Sequence, residues 1–338
     1  MTQVFDITLL MLLVITAIAI ARVVDLFAAV MLSGIYGLLS ASFFVAMDAV
    51  DVAFTEAAVG AGIFPLLMLM VLGVTGRYEK LEANLKKPAV VKKVAMLMLM
   101  LLTGGLLIFG TIDMPAFGSA DAPAQQHVNI RYIEQSPEEI GIPNMVTSVL
   151  ASYRGYDTLG EVLVIFTAAM GVLALFSSQL FSPSKPSMQV EQGGMRDHHV
   201  LRIVSKILIP LILLFAFYVQ FHGEYGPGGG FQAGVIFAAG IILYTMLYGL
   251  NKAMEVIKPS VLRILCAFGV FIYGSTGVVS MLSGGNFLDY SVLASDPIIG
   301  QHLGILVIEL GVGITIAAGM ILIFFAFSHQ AESQLGEG

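Results

Sequence analysis

The sequence predicts an all-α integral membrane protein with about nine transmembrane helices. Of its 338 residues, 57% are hydrophobic and 12% are charged, and the mean hydropathy is +0.90. An ordinary soluble domain has about 25% charged residues, so this chain has too little polar surface to cover itself in water. Its apolar runs are continuous and do not alternate at every second residue, which indicates helices rather than the strands of a membrane barrel.

Hydropathy defines the individual spans. A bilayer core about 30 Å thick needs about 20 apolar helical residues. Nine segments reach or nearly reach this length: about 5–24, 27–47, 52–76, 92–112, 160–181, 203–222, 229–250, 260–283 and 300–327.

The distribution of basic residues predicts the orientation. Six lysines and arginines lie between the third and fourth segments, so this loop is expected in the cytoplasm. Alternation from there places 14 of the 16 basic residues inside, and only Arg131 and Arg154 outside. The N-terminus is therefore expected outside and the C-terminus inside, in a multi-pass protein of the cell inner (cytoplasmic) membrane. The outer loops are acidic; they are either ordinary solvated loops or a surface that concentrates cations.

Two polar stretches divide the chain into blocks of three, two and four helices. Residues 77–93 are charged and contain Pro88, and residues 182–199 are rich in Ser, Pro, Gly and charge, which is typical of a linker. We predict blocks at 1–90, 91–182 and 200–338, with a cytoplasmic linker at 183–199.

Composition excludes several functional classes. The 16 basic residues are outnumbered by 23 acidic ones and form no patch with aromatic residues, so no nucleic-acid partner is expected. The single cysteine, Cys266, excludes an internal disulfide or an iron–sulfur site. No spacing suggests a metal site or another cofactor, and no nucleophile lies beside a base, so the residues themselves do not support an enzyme.

Glu56 is the first ionisable residue expected inside the membrane. It lies about one turn into the third segment, in DVAFTEAAVGAGIFP, and Gly60, Gly62 and Pro65 follow it. Gly and Pro weaken the i→i−4 hydrogen bonds, so we predict a kink or a π-bulge. A carboxylate is costly to keep in a membrane, which favours a role for Glu56 in a cation or proton path. The alternative is a hydrogen bond to a neighbouring helix.

Glu309 and His302 are two further candidates, both in the last segment. They lie seven residues apart and project from nearly the same helix face, so they could be steps of a proton relay. Alternatively, Glu309 pairs with a polar group of another subunit. Small residues of the same segment predict a face that packs against another helix: Gly304, Gly311, Thr315 and Gly319.

Glu161 is a weaker candidate for the ion path. Thr158 and Glu161 fit a capping box that would open the fifth segment. Arg154, one of the two outer basic residues, is expected to pair with Asp157 or with a partner.

A glycine-rich sequence, HGEYGPGGGFQAG at 222–234, joins the sixth and seventh segments. Its nominal G-x-G-x-x-A is a weak nucleotide signal because no strand precedes it. The glycines predict a tight re-entrant turn that lines a wet cavity or is buried in protein. The residues singled out are the turn glycines Gly228, Gly229 and Gly230, and two ion-path candidates at its mouth, His222 and Glu224.

Three of these motifs resemble known families. DVAFTEAAVGAG (51–62) resembles the small D-type subunit of membrane-bound hydrogenases and the matching C-terminal part of the Mrp antiporter A subunit. NMVTSVLASYRGYDTLGE (144–161) resembles the E-type portion that follows it. FHGEYGPGGGFQAGVIFAAG (221–240) resembles the Mrp B subunit. The matches occur in the family's order and cover nearly the whole chain.

The resemblance implies a non-catalytic subunit of a multisubunit Na⁺/H⁺ antiporter, in which Glu56 adjoins the ion path. The partners implied are Na⁺, H⁺ and other subunits, including an antiporter-like proton-translocating subunit on another chain. One alternative is an energy-coupling membrane subunit of a hydrogenase-like or other redox complex related to complex I. Another is a scaffold without an ion site.

Overall fold

The computed structural model describes residues 2–79, 90–116, 118–180 and 199–336. Within these ranges nine helices are long and apolar enough to cross a membrane, which confirms the number predicted from hydropathy. The helices are α1 (Thr2–Arg22), α2 (Leu26–Ala46), α3 (Val50–Glu56, continued by a π-helix at Ala57–Ile63 and by Phe64–Thr75), α4 (Val90–Gly110), α5 (Gly155–Leu180), α6 (His199–His222), α7 (Gly230–Tyr248), α8 (Pro259–Leu282) and α9 (Pro297–Gly336). Most of the predicted linker (183–198) and the centre of the charged loop (80–89) lie outside the described residues.

Shorter elements lie between the long helices. Short α-helices cover Pro123–Gln126, Val128–Ile130, Ser136–Glu139, Met145–Thr147 and Leu250–Val256; π-helices cover Arg131–Gln135 and Ser148–Tyr153; and a 3-10 helix covers Tyr290–Val292. The chain forms two compact units, one of Met1–Tyr78 with Ser136–Gly338 and one of Glu79–Gln135. The second unit begins before α4 and ends after the first π-helix of this region. The boundaries of the three blocks and the orientation in the membrane stay predictions.

The π-helix inside α3 confirms the irregularity predicted from its glycines and proline. Pro65 has no N–H to donate to the carbonyl of residue 61, so the regular i→i−4 pattern cannot continue through it. The π-helix faces α2, and a Cβ built on Gly37 would lie 2.7 Å from the backbone carbon of Gly60. The two helices therefore meet backbone to backbone at the irregular turn.

An ion pair closes the first block. Nη2 of Arg77 lies 2.7 Å from Oδ2 of Asp25, and Nε lies 3.1 Å from both carboxylate oxygens. Asp25 also caps α2 by accepting a hydrogen bond from the backbone N–H of Phe27. The hydrogen bond from Arg77 holds the pKa of Asp25 below its usual range.

Helix α9 forms the centre of the larger unit. In its most apolar 18-residue stretch 78% of the residues are buried, and the helix packs against α5, α7 and α8, whereas the corresponding stretch of α4 has no buried residue. Gly311 of α9 faces Gly269 of α8, where a Cβ would lie 2.7 Å from the Gly269 carbonyl oxygen. The hydroxyl of Thr315 donates to the carbonyl of Cys266 across the same contact. The small residues of α9 thus pack against a helix, as the sequence predicted.

The capping box predicted at the start of α5 is wrong. The helix begins at Gly155, so Thr158 lies inside its first turn, and its hydroxyl donates to the carbonyl of Leu150 at 2.7 Å. The salt bridge between Arg154 and Asp157 is confirmed, with a nitrogen–oxygen distance of 2.5 Å.

Candidate functional site

The three family-like motifs meet at one point. Oδ1 of Asp51, in the first turn of α3, accepts a hydrogen bond from the backbone N–H of Gly228 at 3.2 Å and one from Asn144 at 3.4 Å. The same side-chain amide of Asn144 donates to the carbonyls of Gly223 and Gly226 at 3.1 and 3.0 Å. Asn144 therefore joins α3 to the glycine-rich turn between α6 and α7.

Other residues of the E-like motif (144–161) also form hydrogen bonds with the four-helix block. The hydroxyl of Thr147 donates to the Gly223 carbonyl at 2.6 Å, and Ser152 donates to Gln301 of α9 at 2.8 Å. Tyr290, which is fully buried, donates to the carbonyl of Ala151 at 3.1 Å. Burial raises the pKa of this phenol, so it stays protonated and remains a donor.

The glycine-rich turn has a backbone that other residues could not follow easily. Gly229 has φ of 121°, which favours glycine, and a Cβ there would lie 3.1 Å from Oε1 of Glu309. A Cβ on Gly230 would overlap the backbone oxygen of Glu309, and one on Gly228 would lie 2.7 Å from the Val219 carbonyl oxygen. The turn therefore passes directly over the Glu309 carboxylate.

A cleft of about 600 Å³ opens beside this turn. Asp51 of α3, Glu161 of α5 and Glu309 of α9 all line it, so each family-like block contributes one carboxylate. The other polar groups in its wall come from Gln232, the turn glycines and three hydroxyl side chains: Thr55, Thr147 and Thr158. The described residues that line the cleft include no Lys, Arg or His.

Glu309 is one of the two buried carboxylates of the cleft. It is 9% exposed, and its two oxygens face Gly229 and Gly223. No described residue donates a hydrogen bond to it. A desolvated carboxylate without a protein counter-charge is costly, so the arrangement favours a bound cation or proton. Asp51 is equally buried but accepts two hydrogen bonds, and Glu161 lies at the exposed side of the cleft.

His302 and Glu224 form a pair on the other side of the turn. Nδ1 of His302 lies 3.0 Å from Oε2 of Glu224, and the two side chains are 34% and 17% exposed. Neither residue lines the cleft. The structure thus places His302 against Glu224 rather than against Glu309, although His302 and Glu309 share a helix.

His222 and Glu56 lie apart from the three carboxylates. His222 ends α6, stacks on Tyr218 with ring centroids 4.8 Å apart, and accepts hydrogen bonds from the turn through its carbonyl. Glu56 is half-buried and immediately precedes the π-helix. Its carboxylate lies against Gly60, and the absence of a Cβ on Gly60 leaves room for it. Neither side chain lines the cleft.

Sequence reasoning missed Asp51 and Asn144 as site residues. Each appears there only as the first residue of a family-like motif. The available signal is that both lie inside the motifs that resemble known families. Their contact joins positions 93 residues apart, which no local pattern reveals.

Comparison with known proteins gives matches in the same order. Residues 11–77 match the MbhD family, described as the D subunit of MBH, and residues 97–193 match the MbhE family, described as its E subunit. Residues 200–322 match the "domain related to MnhB subunit of Na+/H+ antiporter".

Two relatives illustrate these matches. A protein of Rhizobium meliloti (strain 1021), described as the probable A/B subunit of a K(+)/H(+) antiporter, is 27% identical over 324 residues, which are 90% of this chain and 32% of that protein. The chain thus spans about a third of the length of this relative. The putative antiporter subunit mnhB2 of Staphylococcus aureus (strain Newman) is 33% identical over 132 residues, which are 38% of this chain and 93% of that protein.

Two solved structures are similar as well. The Mrp complex from Dietzia sp. DQ12-45-1b has a chain that matches with a TM-score of 0.73 and 24% identity, over 95% of this chain and 34% of that one. The membrane-bound sulfane sulfur reductase, an archaeal respiratory membrane complex, has a chain that matches with a TM-score of 0.53 and 27% identity, over 70% of this chain and 98% of that one.

The first structure supports the fold over nearly the whole chain, and the Staphylococcus relative is matched over nearly its full length. The chain belongs to the MnhB-related family of membrane antiporter subunits, with MBH D- and E-type domains preceding the MnhB-related domain.

Proposed function

We propose that the chain is a non-catalytic subunit of a multisubunit cation/proton antiporter and that its three-carboxylate cleft lies on the cation or proton route. The observation that supports this most strongly is the convergence of Asp51, Glu161 and Glu309 on one cavity without a basic residue in its described wall. The family membership supports the antiporter setting.

The chemistry of the cleft suits a monovalent cation or a proton. Carboxylate, hydroxyl and carbonyl oxygens are hard ligands that can replace the water around an alkali cation. Glu309 supplies a buried charge to which no described residue donates a hydrogen bond, while Asp51 is held in place by Gly228 and Asn144. Glu161, at the exposed side, would meet an ion first. Occupancy of the cleft by a cation would displace a proton from these carboxylates, which couples the two fluxes.

A transport assay tests this role. Glu309→Gln keeps the shape of the side chain and removes its charge. We expect cation-dependent proton exchange in membrane vesicles to fall by roughly tenfold or more, because contacts to charged groups contribute about 1.5–3 kcal/mol and 1.4 kcal/mol is tenfold. Glu255→Gln neutralises an exposed carboxylate on the short helix Leu250–Val256 and is the matched control.

The amount of assembled complex must be equal in both variants. Normal exchange by the Glu309→Gln complex would remove the cleft from the route. Exchange assays with Na⁺, with K⁺ and with neither cation identify the ion that moves against the proton.

Glu56 is a separate ion-path candidate within the same proposal. It precedes the π-helix of α3, and such irregular turns often accompany function. We propose that it belongs to a part of the route that another subunit completes, since the described cleft does not include it.

The partners proposed are an antiporter-like proton-translocating subunit and further membrane subunits of the complex in the cell inner membrane. The apolar side chains of α4 are exposed along its whole length, and those of α1 are exposed along most of it. To identify these subunits, the tagged chain is purified in mild detergent and the complex is separated by native electrophoresis. Mass spectrometry of the bands then names the subunits.

A second candidate is an energy-coupling subunit of a redox complex. It is favoured by the similarity to a chain of the membrane-bound sulfane sulfur reductase, which this chain covers almost completely. Two results together would support this candidate over the first. The purified complex would contain redox subunits, and its proton movement would depend on electron transfer rather than on a cation gradient.

A further inference from the structure

An apolar crevice in the four-helix block shares no lining residue with the three-carboxylate cleft. It encloses about 710 Å³ between α6 and α8, with α7 and α9 as its floor. The floor is buried, with Ala233 4%, Ala318 2% and Ile321 0% exposed. The rim is not: Phe217 and Phe221 of α6 are 54% and 57% exposed. The crevice therefore opens sideways, toward the surroundings of a membrane helix.

The shape of the crevice suits a chain-like apolar molecule. Along α9 its wall runs from Leu310 to Ile321, a rise of about 16 Å at ~1.5 Å per residue. This is about half of the ~30 Å hydrocarbon core, which is the depth that the tails of one lipid leaflet occupy. The floor of the crevice carries small residues such as Ala233 and Ala317, along which an acyl chain can lie.

Charge identifies one end of the crevice. Glu255 and Lys258 line it where the short helix Leu250–Val256 leads into α8, and both are exposed. This end of the crevice lies near the described start of α6 and the junction between α7 and α8. These two stretches contain one carboxylate, that of Glu255, and five basic side chains: Arg202, Lys206, Lys252, Lys258 and Arg263. Basic pockets between membrane helices attract anionic lipid headgroups.

We propose that this crevice is a binding site for an anionic phospholipid, with the headgroup at Lys258 and an acyl chain on the floor formed by α7 and α9. The site is separate from the proposed ion route. It takes its ligand from the bilayer, and the lipid would cover the apolar surface that α6 and α8 leave open.

Gln220 closes the far end of the crevice and distinguishes a lipid tail from a protein partner. The residue is 7% exposed, and its side-chain nitrogen has no hydrogen-bond partner among the described residues. A lipid tail has no acceptor for this donor, whereas a polar side chain of a partner helix would accept from it. Gln220→Leu is therefore expected to leave lipid binding intact.

The test measures the lipid retained by the purified complex. The complex is exchanged into vesicles of phosphatidylethanolamine and phosphatidylglycerol and re-extracted, and phosphatidylglycerol per chain is quantified by native mass spectrometry. Lys258→Glu is expected to weaken retention by roughly tenfold, because one attractive charge is replaced by a repulsive one. Ala317→Phe, which fills the crevice from α9, is expected to reduce retention as well.

Lys92→Glu makes the same charge reversal at an exposed position of α4 and should retain lipid like the unchanged chain. Lys258 precedes the first turn of α8 and is not buried, so its reversal leaves the packing of the block intact. Unchanged retention in the Lys258→Glu complex would overturn the proposal. Loss of a subunit from the complex in Gln220→Leu would also overturn it, because that result assigns the crevice to a partner helix.

Discussion

Substitution of Asn144 is expected to destabilise the contact between α3 and the glycine-rich turn. The side-chain amide of Asn144 donates to the carbonyls of Gly223 and Gly226, and its oxygen accepts from the backbone N–H of Val146. Asn144→Ala removes these contacts, and Asn144→Asp keeps the shape but replaces the donor by a negative oxygen. The aspartate would then face two carbonyl oxygens and the carboxylate of Asp51.

The structure gives the magnitudes. In the alanine variant the Gly223 carbonyl loses one bond, worth about 1 kcal/mol net, but keeps the one from Thr147, whereas the partly buried Gly226 carbonyl loses its donor at about 1–3 kcal/mol; we therefore expect a loss of roughly 2–4 kcal/mol. In the aspartate variant a like charge stands about 3.4 Å from Oδ1 of Asp51. At an effective dielectric constant of about 20, this repulsion adds roughly 5 kcal/mol when both groups are ionised.

The assay is the temperature at which the solubilised complex loses its intact peak on size-exclusion chromatography. We expect the midpoint to fall for Asn144→Ala and the complex to be nearly absent for Asn144→Asp. Asn251→Asp introduces the same charge at an exposed position and should not shift the midpoint. If Asn144→Asp were as stable as Asn251→Asp, the argument that Asn144 joins α3 to the glycine-rich turn would be refuted.

Three further predictions concern the ion path, the turn and the orientation. Glu56→Gln should assemble normally and lower cation-dependent proton exchange in vesicles; full exchange at equal protein levels would exclude Glu56 from the path. Gly229→Val places a branched side chain at φ of 121° and near Glu309, so native electrophoresis should show a smaller or missing complex. Gly274→Val, in a helix position with open space, is its control and should assemble. Cysteine introduced at Ser295 should react with an impermeant reagent from outside and one at Asn84 should not; the reverse pattern contradicts the predicted orientation.

The helices could be predicted from the sequence because their signal is local. A continuous apolar run of sufficient length is stable in a bilayer only as a helix, so the nine spans followed from hydropathy. The π-helix at Ala57–Ile63 followed in the same way from Gly60, Gly62 and Pro65. The capping box failed because α5 begins one turn earlier, at Gly155, where the chain leaves the π-helix Ser148–Tyr153 rather than a loop.

The cleft could be predicted only in part. Glu161, Glu309 and the turn glycines stand out because an intramembrane carboxylate and a glycine-rich stretch are visible in the sequence. Their meeting with Asp51 is a tertiary contact: the bond from Gly228 to Asp51 joins residues 177 positions apart. The pairing of His302 with Glu224 is hidden for the same reason, because helix periodicity places His302 relative to α9 and not relative to the turn that packs on it.

The central claim is that a cation and a proton compete for Glu309, and labelling of this residue by a carbodiimide tests it most directly. The reagent modifies protonated carboxyl groups in apolar surroundings, and peptide mass spectrometry of the intact complex measures the modified fraction. The account predicts that Glu309 is labelled in the absence of alkali cations and that Na⁺ or K⁺ protects it, while the exposed Glu255 shows no cation-dependent change. Labelling of Glu309 that is absent, or identical with and without both cations, would contradict the claim.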